Sequence, residues 1–244
     1  MATQTAPEII LYDLACTKNV CFSPVVWCTR LMLNYKQIPY KTIFLEFPDI
    51  EPTLKELGLA PNESGHKYTV PAIHHVPTDT HLMGSLPIAE FLESTYPDHP
   101  VPLTSEVGRE IGTRARAAVG PVLTKSLMPR EVHILPPRAQ EYFRRTREAA
   151  IGRPLEALLD GDEEQKRWDA AADEVRALGE LLLARKAEGG PFLLGDKPSY
   201  TDFFIAGSLQ CARTVDEGVF ERVVKFPGYK DIYDVCQPYM ERKD

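Results

Sequence analysis

The sequence predicts an α/β domain followed by an all-helical domain. Three observations carry that reading. Strand and helix signals alternate over the first part of the chain, the stretch PDHPVPLTSE (97–106) is proline-rich and without periodicity, and everything beyond it is helical in pattern. A chain of 244 residues suits one large or two ordinary domains, and the break divides it into 1–98 and 99–244.

Taken in order, IILYDL (9–14) is a short apolar run bounded by turn chemistry, hence a strand. After Ser23-Pro24, the residues Cys28, Leu31, Met32 and Tyr35 recur at helical spacing and predict an amphipathic helix to about Lys36. YKTIFLE (40–46) is β-branched or aromatic and alternating, a second strand, and IEPTLKELG is a short helix stopped by Gly58. LAPNESGHKYT is polar and loop-like, while VPAIHH and HLMG bracket VPTDT as a hairpin. Ser85 is read as the cap of a helix over LPIAEFLESTY. The order β-α-β-α-β-β-α implies a mixed sheet with helices on its faces.

In the second half, a helix from about 106 carries Gly120-Pro121, which predicts a kink. A second helix is expected from Pro137 towards Leu159 and a third from Glu163 to about Ala187. SYTD (199–202) has the form of a capping box and opens a central helix at FFIAG.

Composition excludes several functions. A formal net charge of −7 argues against a nucleic-acid binder, and the basic run FRRTRE (143–148) reads as a solvated helix face. No segment approaches the ~20 apolar residues of a membrane span. MATQTAPEIILYDL has no basic region followed by a long apolar run, so it does not read as a secretory signal. The five cysteines are odd in number and lack zinc-like spacing, which points to the reducing cytosol. Of six histidines, His74 and His75 fall in a predicted strand and the rest are scattered. No carboxylate is recognised at ligand spacing beside them, so no metal site is assigned.

The stretch NVCFSPVVWCTRLML (19–33) poses the functional question. Ser23 before Pro24 is an ordinary N-cap with proline at the first helical position. The same helix start, with unpaired N–H groups and a positive dipole end, also suits an anion. Val70-Pro71 opens a strand where proline removes a ladder donor, so a cis bond that turns the Val70 backbone towards a ligand peptide is expected there. Gly84-Ser85, between strand and helix, suits a small carboxylate. Phe22 beside the serine, Trp27 one turn on and Tyr200 near the capping box are candidates for an aromatic-binding wall, with Phe203 read as core.

The Val70-Pro71 strand, the Gly84-Ser85 helix start with Ile88 following, and SYTD in a helical second half together resemble glutathione transferases across the whole chain. The resemblance implies a thioredoxin-like N-terminal domain that binds most of glutathione, the co-substrate, and a helical C-terminal domain. LYDLACTKNVCFSPVVWCTRLML is similar to the active-site region of bacterial β-etherase transferases and of a fungal-specific class related to them. Carried over by that match, Ser23 stabilises the thiolate, Val70 with Pro71 meets the cysteinyl backbone, and Ser85 after Gly84 takes the γ-glutamyl carboxylate. His66 and Lys67 fall towards the glycyl carboxylate. Gly84 stands where many transferases carry Glu or Asp, so the γ-glutamyl amino group needs another partner, such as the second subunit of a homodimer.

The function expected is therefore conjugation of glutathione to hydrophobic aromatic electrophiles, lignin-related aryl ethers among them, in the cytoplasm. A carrier of aromatic phenolics is the alternative. A thiol reductase using Cys21 or Cys16, or an interaction protein without chemistry, would use the same fold.

Overall fold

A computed structural model describes residues 6–243. Its sheet is built on β1 (Ile9–Leu14), whose IILYDL is buried at nearly every position. β1 pairs parallel with β2 (Tyr40–Leu45) and antiparallel with β3 (Ala72–His75), which pairs antiparallel with β4 (Thr80–Met83). The order β2-β1-β3-β4 is the mixed sheet of a thioredoxin-like domain. The one parallel pair is bridged by α1 (Pro24–Tyr35), as a parallel connection requires.

α1 buries Val26, Trp27, Leu31, Met32 and Leu33, each fully buried apolar side chain worth about 1.5–3 kcal/mol against exposure. It packs on α3 (Ser85–Thr95) and on α8 (Tyr200–Val215) of the helical half. α2 (Ile50–Glu56) ends where Gly58 takes φ +74°, as its sequence led one to expect. Between Tyr96 and Ser105 there is neither helix nor strand, and α4 (Glu106–Arg114) begins on a Ser105 side chain that accepts from the Gly108 N–H.

The expected disturbance at Gly120-Pro121 takes the form of a π turn over Ala115–Val119 joining α4 to α5 (Gly120–Glu131). Pro121 has no N–H to give and its ring would crowd a regular turn, so the backbone widens, the Gly120 N–H reaching Ala115 O. The helix expected to run to Leu159 instead stops: α6 (Pro137–Ile151) ends because Gly152 adopts φ +72° and Pro154 cannot continue it. A 3-10 turn (Leu155–Leu158) follows, then α7 (Glu163–Gly189). Two short helices close the fold, α9 (Glu217–Val224), capped by Asp216, and α10 (Tyr229–Cys236), entered through Gly228 at φ +80°. The sequence pattern had not singled them out. No helix among the described residues is long and apolar enough to cross a membrane.

The β3–β4 hairpin corrects one expectation. A carboxylate does accompany the histidines: Asp79, in the turn at φ +51°, lies 2.8 Å from His74 Nε2, and His81 stacks on His74. The spacing was missed because the three residues meet across strands rather than along one.

Candidate active site

The loop from Ala15 to Ser23 carries the candidate nucleophile-holding pole, and it is fastened to the helical half of the molecule. Thr17 N–H donates to Ile134 O at 2.8 Å and Cys21 N–H to Lys243 O at 2.9 Å, while Lys18 Nζ reaches Thr214 O. Ser23 is the N-cap of α1, with extended φ/ψ of −78° and 126° and Pro24 at the first helical position. Its Oγ accepts from the Val26 N–H at 3.5 Å, the long end of hydrogen-bond range, so the hydroxyl is only weakly engaged by the cap. Its own O–H proton is not used by that contact.

Beneath the pole lies a polar layer that the sequence reading did not find. Arg30 Nη2 and Asp13 Oδ2 form an ion pair at 2.9 Å with both side chains wholly buried. Arg30 also donates to Tyr40 OH and Thr42 Oγ1, each at 3.2 Å, and Asp13 accepts from the Leu14 N–H at 2.7 Å. Burial raises the Asp13 carboxyl above its ordinary value, and Arg30 beside it offsets only part of that rise. The signal was present: an arginine on the apolar run WCTRLML is rarely buried without a paired carboxylate.

Cys21 touches this layer. It is fully buried, its Sγ–H directed at Ser23 O at 3.7 Å. Burial first, and the Asp13 carboxylate second, push its thiol well above the ordinary value. A raised thiol pKa means the neutral form at neutral pH, which is the wrong state for the nucleophile of a thiol reductase. Cys16 is also buried, donating to Val20 O at 3.2 Å.

The Val70-Pro71 bond is cis. Val70 O accepts from Thr69 Oγ1 at 3.1 Å, and among the described residues no group pairs with the Val70 N–H. β3 starts after this pair, at Ala72 rather than Val70, because Pro71 gives no ladder donor. Pro71 O accepts from the Gly84 N–H at 2.9 Å, which ties the cis turn to the start of α3.

At that start, Gly84 and not Ser85 is the N-cap, with φ +98° that suits glycine. Ser85 is instead the first helical residue and makes no capping bond, so the expectation that it caps the helix is corrected. Its side chain is half-buried and stands beside Tyr200. Burial first, and Cys28 second, push the Tyr200 phenol up, while Ser85 and Arg116 pull it down. Pro87 has no N–H, so the free donors at this helix start are those of Ser85 and Leu86.

His66 and Lys67 are exposed on the loop before β3, where their carbonyls accept from Asn62. Phe22 and Trp27 require a correction. They are 2% and 0% exposed, and the Trp27 indole N–H donates to Cys21 O at 3.0 Å. Both faces of the indole are taken by packing, so these two hold the loop and offer no wall to a ligand. Phe203 is core, as read.

An apolar cavity of about 80 Å³ lies in the helical half, lined by Leu123, Leu178, Phe204, Leu209, Tyr229 and Arg116. A larger open groove of about 1070 Å³ runs beside Gln37, Pro39, Lys41, Pro238 and Arg242. It lies at the C-terminal end of α1, roughly 18 Å of helix away from Ser23, and plays no part in this site.

Residues 22–95 match a family model described as "Glutathione S-transferase, N-terminal domain", and residues 113–226 match "Glutathione S-transferase, C-terminal domain". The chain is 36% identical over 211 residues to the glutathione S-transferase-like protein ustS of Aspergillus flavus, covering 80% of this chain and 75% of that protein. Among solved structures it is similar to the glutathione S-transferase CsGST63524 of Ceriporiopsis subvermispora, crystallised with glutathione (31% identity, TM-score 0.83, 97% of this chain and 99% of that one). It is also similar to glutathione transferase GSTFuA3 of Phanerochaete chrysosporium (28% identity, TM-score 0.84, 98% and 99% covered).

Proposed function

The chain belongs to the glutathione S-transferase family, and from that premise we propose that it conjugates glutathione to a hydrophobic aromatic electrophile, with Ser23 holding the thiolate. The observation that carries the reading is the Ser23 hydroxyl itself. It sits at the N-terminus of α1 with a long cap bond and an unspent donor, above a neutral buried Cys21.

A free thiol ionises near ~8.5, so little of it is nucleophilic at neutral pH. The Ser23 O–H, donated to the glutathione sulfur, stabilises the thiolate over the thiol, and the helix end adds to this. Accepting from Val26 and donating to sulfur use different parts of one hydroxyl, so cap and catalytic donor do not compete. The Val70 N–H pairs with the cysteinyl backbone of glutathione. Ser85 takes the γ-glutamyl carboxylate with its hydroxyl and the two free helix N–H groups, and His66 and Lys67 approach the glycyl end. The thiolate then attacks carbon of the electrophile, forming the C–S bond as the leaving group departs with its electron pair.

Aryl ethers are the substrate class favoured by the likeness of residues 11–33 to β-etherase active sites. Tyr200 and the apolar cavity lined by Phe204, one turn along α8, provide the aromatic side. At about 80 Å³ that cavity is far below the ~300–1,000 Å³ of ordinary ligand pockets, so a guest must widen it. A carrier of aromatic phenolics uses the same cavity without chemistry. Product analysis by mass spectrometry with glutathione and aryl ethers separates the two. Thioether adducts are expected, and Ser23→Ala is expected to lower turnover about 10- to 100-fold, the scale for losing one preorganised donor. Tight aromatic binding with no adduct from any aryl ether would favour carriage.

In this reading the enzyme is a homodimer whose second subunit completes γ-glutamyl recognition where Gly84 offers no carboxylate. Sedimentation at micromolar concentration is expected to show twice the 27.4 kDa chain mass, and a species of 27.4 kDa would contradict it.

A further inference from the structure

The β3–β4 hairpin holds three side chains that no step of the transferase reaction uses. His74 on β3 and His81 on β4 are register partners, with ring centroids 4.3 Å apart and planes within 19° of parallel. Asp79 lies in the turn between them, its Oδ1 2.8 Å from His74 Nε2. One ligand atom from each of the three lies within 4.8 Å of the others.

From that cluster we propose a surface site for one divalent transition-metal ion, bound by His74, Asp79 and His81. Two imidazoles and one carboxylate are the donor set that zinc, copper and nickel share, whereas magnesium and calcium take oxygen alone. A ring nitrogen of each histidine and a carboxylate oxygen of Asp79 lie within 4.8 Å of one another, close enough for one ion to gather all three. The ion would take the place of the His74–Asp79 hydrogen bond, drawing on the ring nitrogen and the carboxylate oxygen that now face each other.

The turn is built to hold this geometry. Asp79 adopts the left-handed conformation that Asp tolerates, and its N–H donates to Val76 O. Thr78 Oγ1 bonds His75 Nδ1 at 2.6 Å and Thr80 Oγ1 at 2.8 Å, bracing the turn from the other side. His75 points to the opposite face of the sheet, where it packs on Phe91 and Tyr96. With Asp79 85% exposed and His74 24% exposed at the side chain, the cluster is open to an ion from solvent and leaves a position for water.

The site is separate from the catalytic pole. His75 pairs with Ile9 at the start of β1, whereas the Ser23 loop leaves from its end. An ion here clamps the hairpin whose second strand runs into Gly84 and Ser85.

The test is calorimetric titration of zinc chloride into the untagged 244-residue chain, with cobalt absorption as a second measurement. One ion per chain at micromolar strength is expected, with visible d–d bands and no thiolate charge-transfer band. His81→Gln and Asp79→Asn, the latter keeping a residue that tolerates the left-handed turn, are each expected to weaken binding about tenfold or more while conjugating activity without metal is unchanged. Circular dichroism of both variants confirms that the fold persists. No binding up to millimolar zinc, equal binding in the variants, or a thiolate band placing the ion at a cysteine would each overturn the proposal.

Discussion

Ser85 shows how a single position decides between packing and chemistry. Gly84 takes over the capping conformation, so the Ser85 hydroxyl has no structural debt to the helix and is available to an anion together with two helix N–H groups. Ser85→Ala is therefore expected to leave the thermal transition nearly unmoved and to weaken glutathione binding. The loss should be about 1.5–3 kcal/mol, the value of a hydrogen bond to a charged group. Calorimetry with glutathione measures it, and an unaltered dissociation constant would reduce Ser85 to a bystander. At the same scale, sequence reading succeeded where a residue type has few uses. Ser23-Pro24 and the SYTD box behave as their chemistry requires, the box closing with Asp202 accepting from the Ser199 N–H at 2.8 Å. It failed for Phe22 and Trp27, because aromatic residues serve core and ligand equally well and only three-dimensional burial tells them apart.

Between elements, the contact that matters most to the site is the crossing of α1 and α8. Gly207 makes it close: a Cβ there would come within 2.9 Å of Pro24 O and of Trp27 Cβ, and 3.2 Å of Cys28 N. Two of those three atoms are backbone, which cannot swing aside. Gly207→Ala is expected to cost about 1–3 kcal/mol of stability, as overpacking does. Because Pro24 adjoins Ser23, turnover should fall as well. Urea denaturation beside steady-state kinetics checks both, and a variant with wild-type stability would show that the helices part freely. Element boundaries were legible where a backbone rule enforces them, as at Gly58 after α2. They were illegible where a short helix depends on its neighbours: α9 and α10 offer eight residues each, too few for periodicity to stand out, and they are held by packing on α8, with α5 also against α9 and α7 against α10. The hairpin cluster was illegible for a related reason, since register across strands is not written in spacing along one.

For the molecule as a whole, the two-domain plan was legible because its halves obey different periods and a proline-rich stretch parts them. What could not be read was how the helical half fastens a loop of the N-terminal half. Ile134, Thr214 and Lys243 supply the carbonyls that hold residues 17–21, and nothing local in the sequence marks them for it. The buried Asp13–Arg30 pair then fixes β1 to α1 below that loop, and truncating either partner should be costly because the other charge stays buried. All of this bears on one property, the ionisation of glutathione when bound. Ultraviolet titration of the thiolate in the complex measures it directly, for the wild type and for Ser23→Ala. A hydrogen bond to the charged sulfur worth about 1.5–3 kcal/mol corresponds to roughly one to two pKa units. The account predicts that the bound thiol ionises below its free value in the wild type and moves back up by about that amount in the alanine variant. Equal values in the two proteins, with glutathione still bound to both, would contradict it.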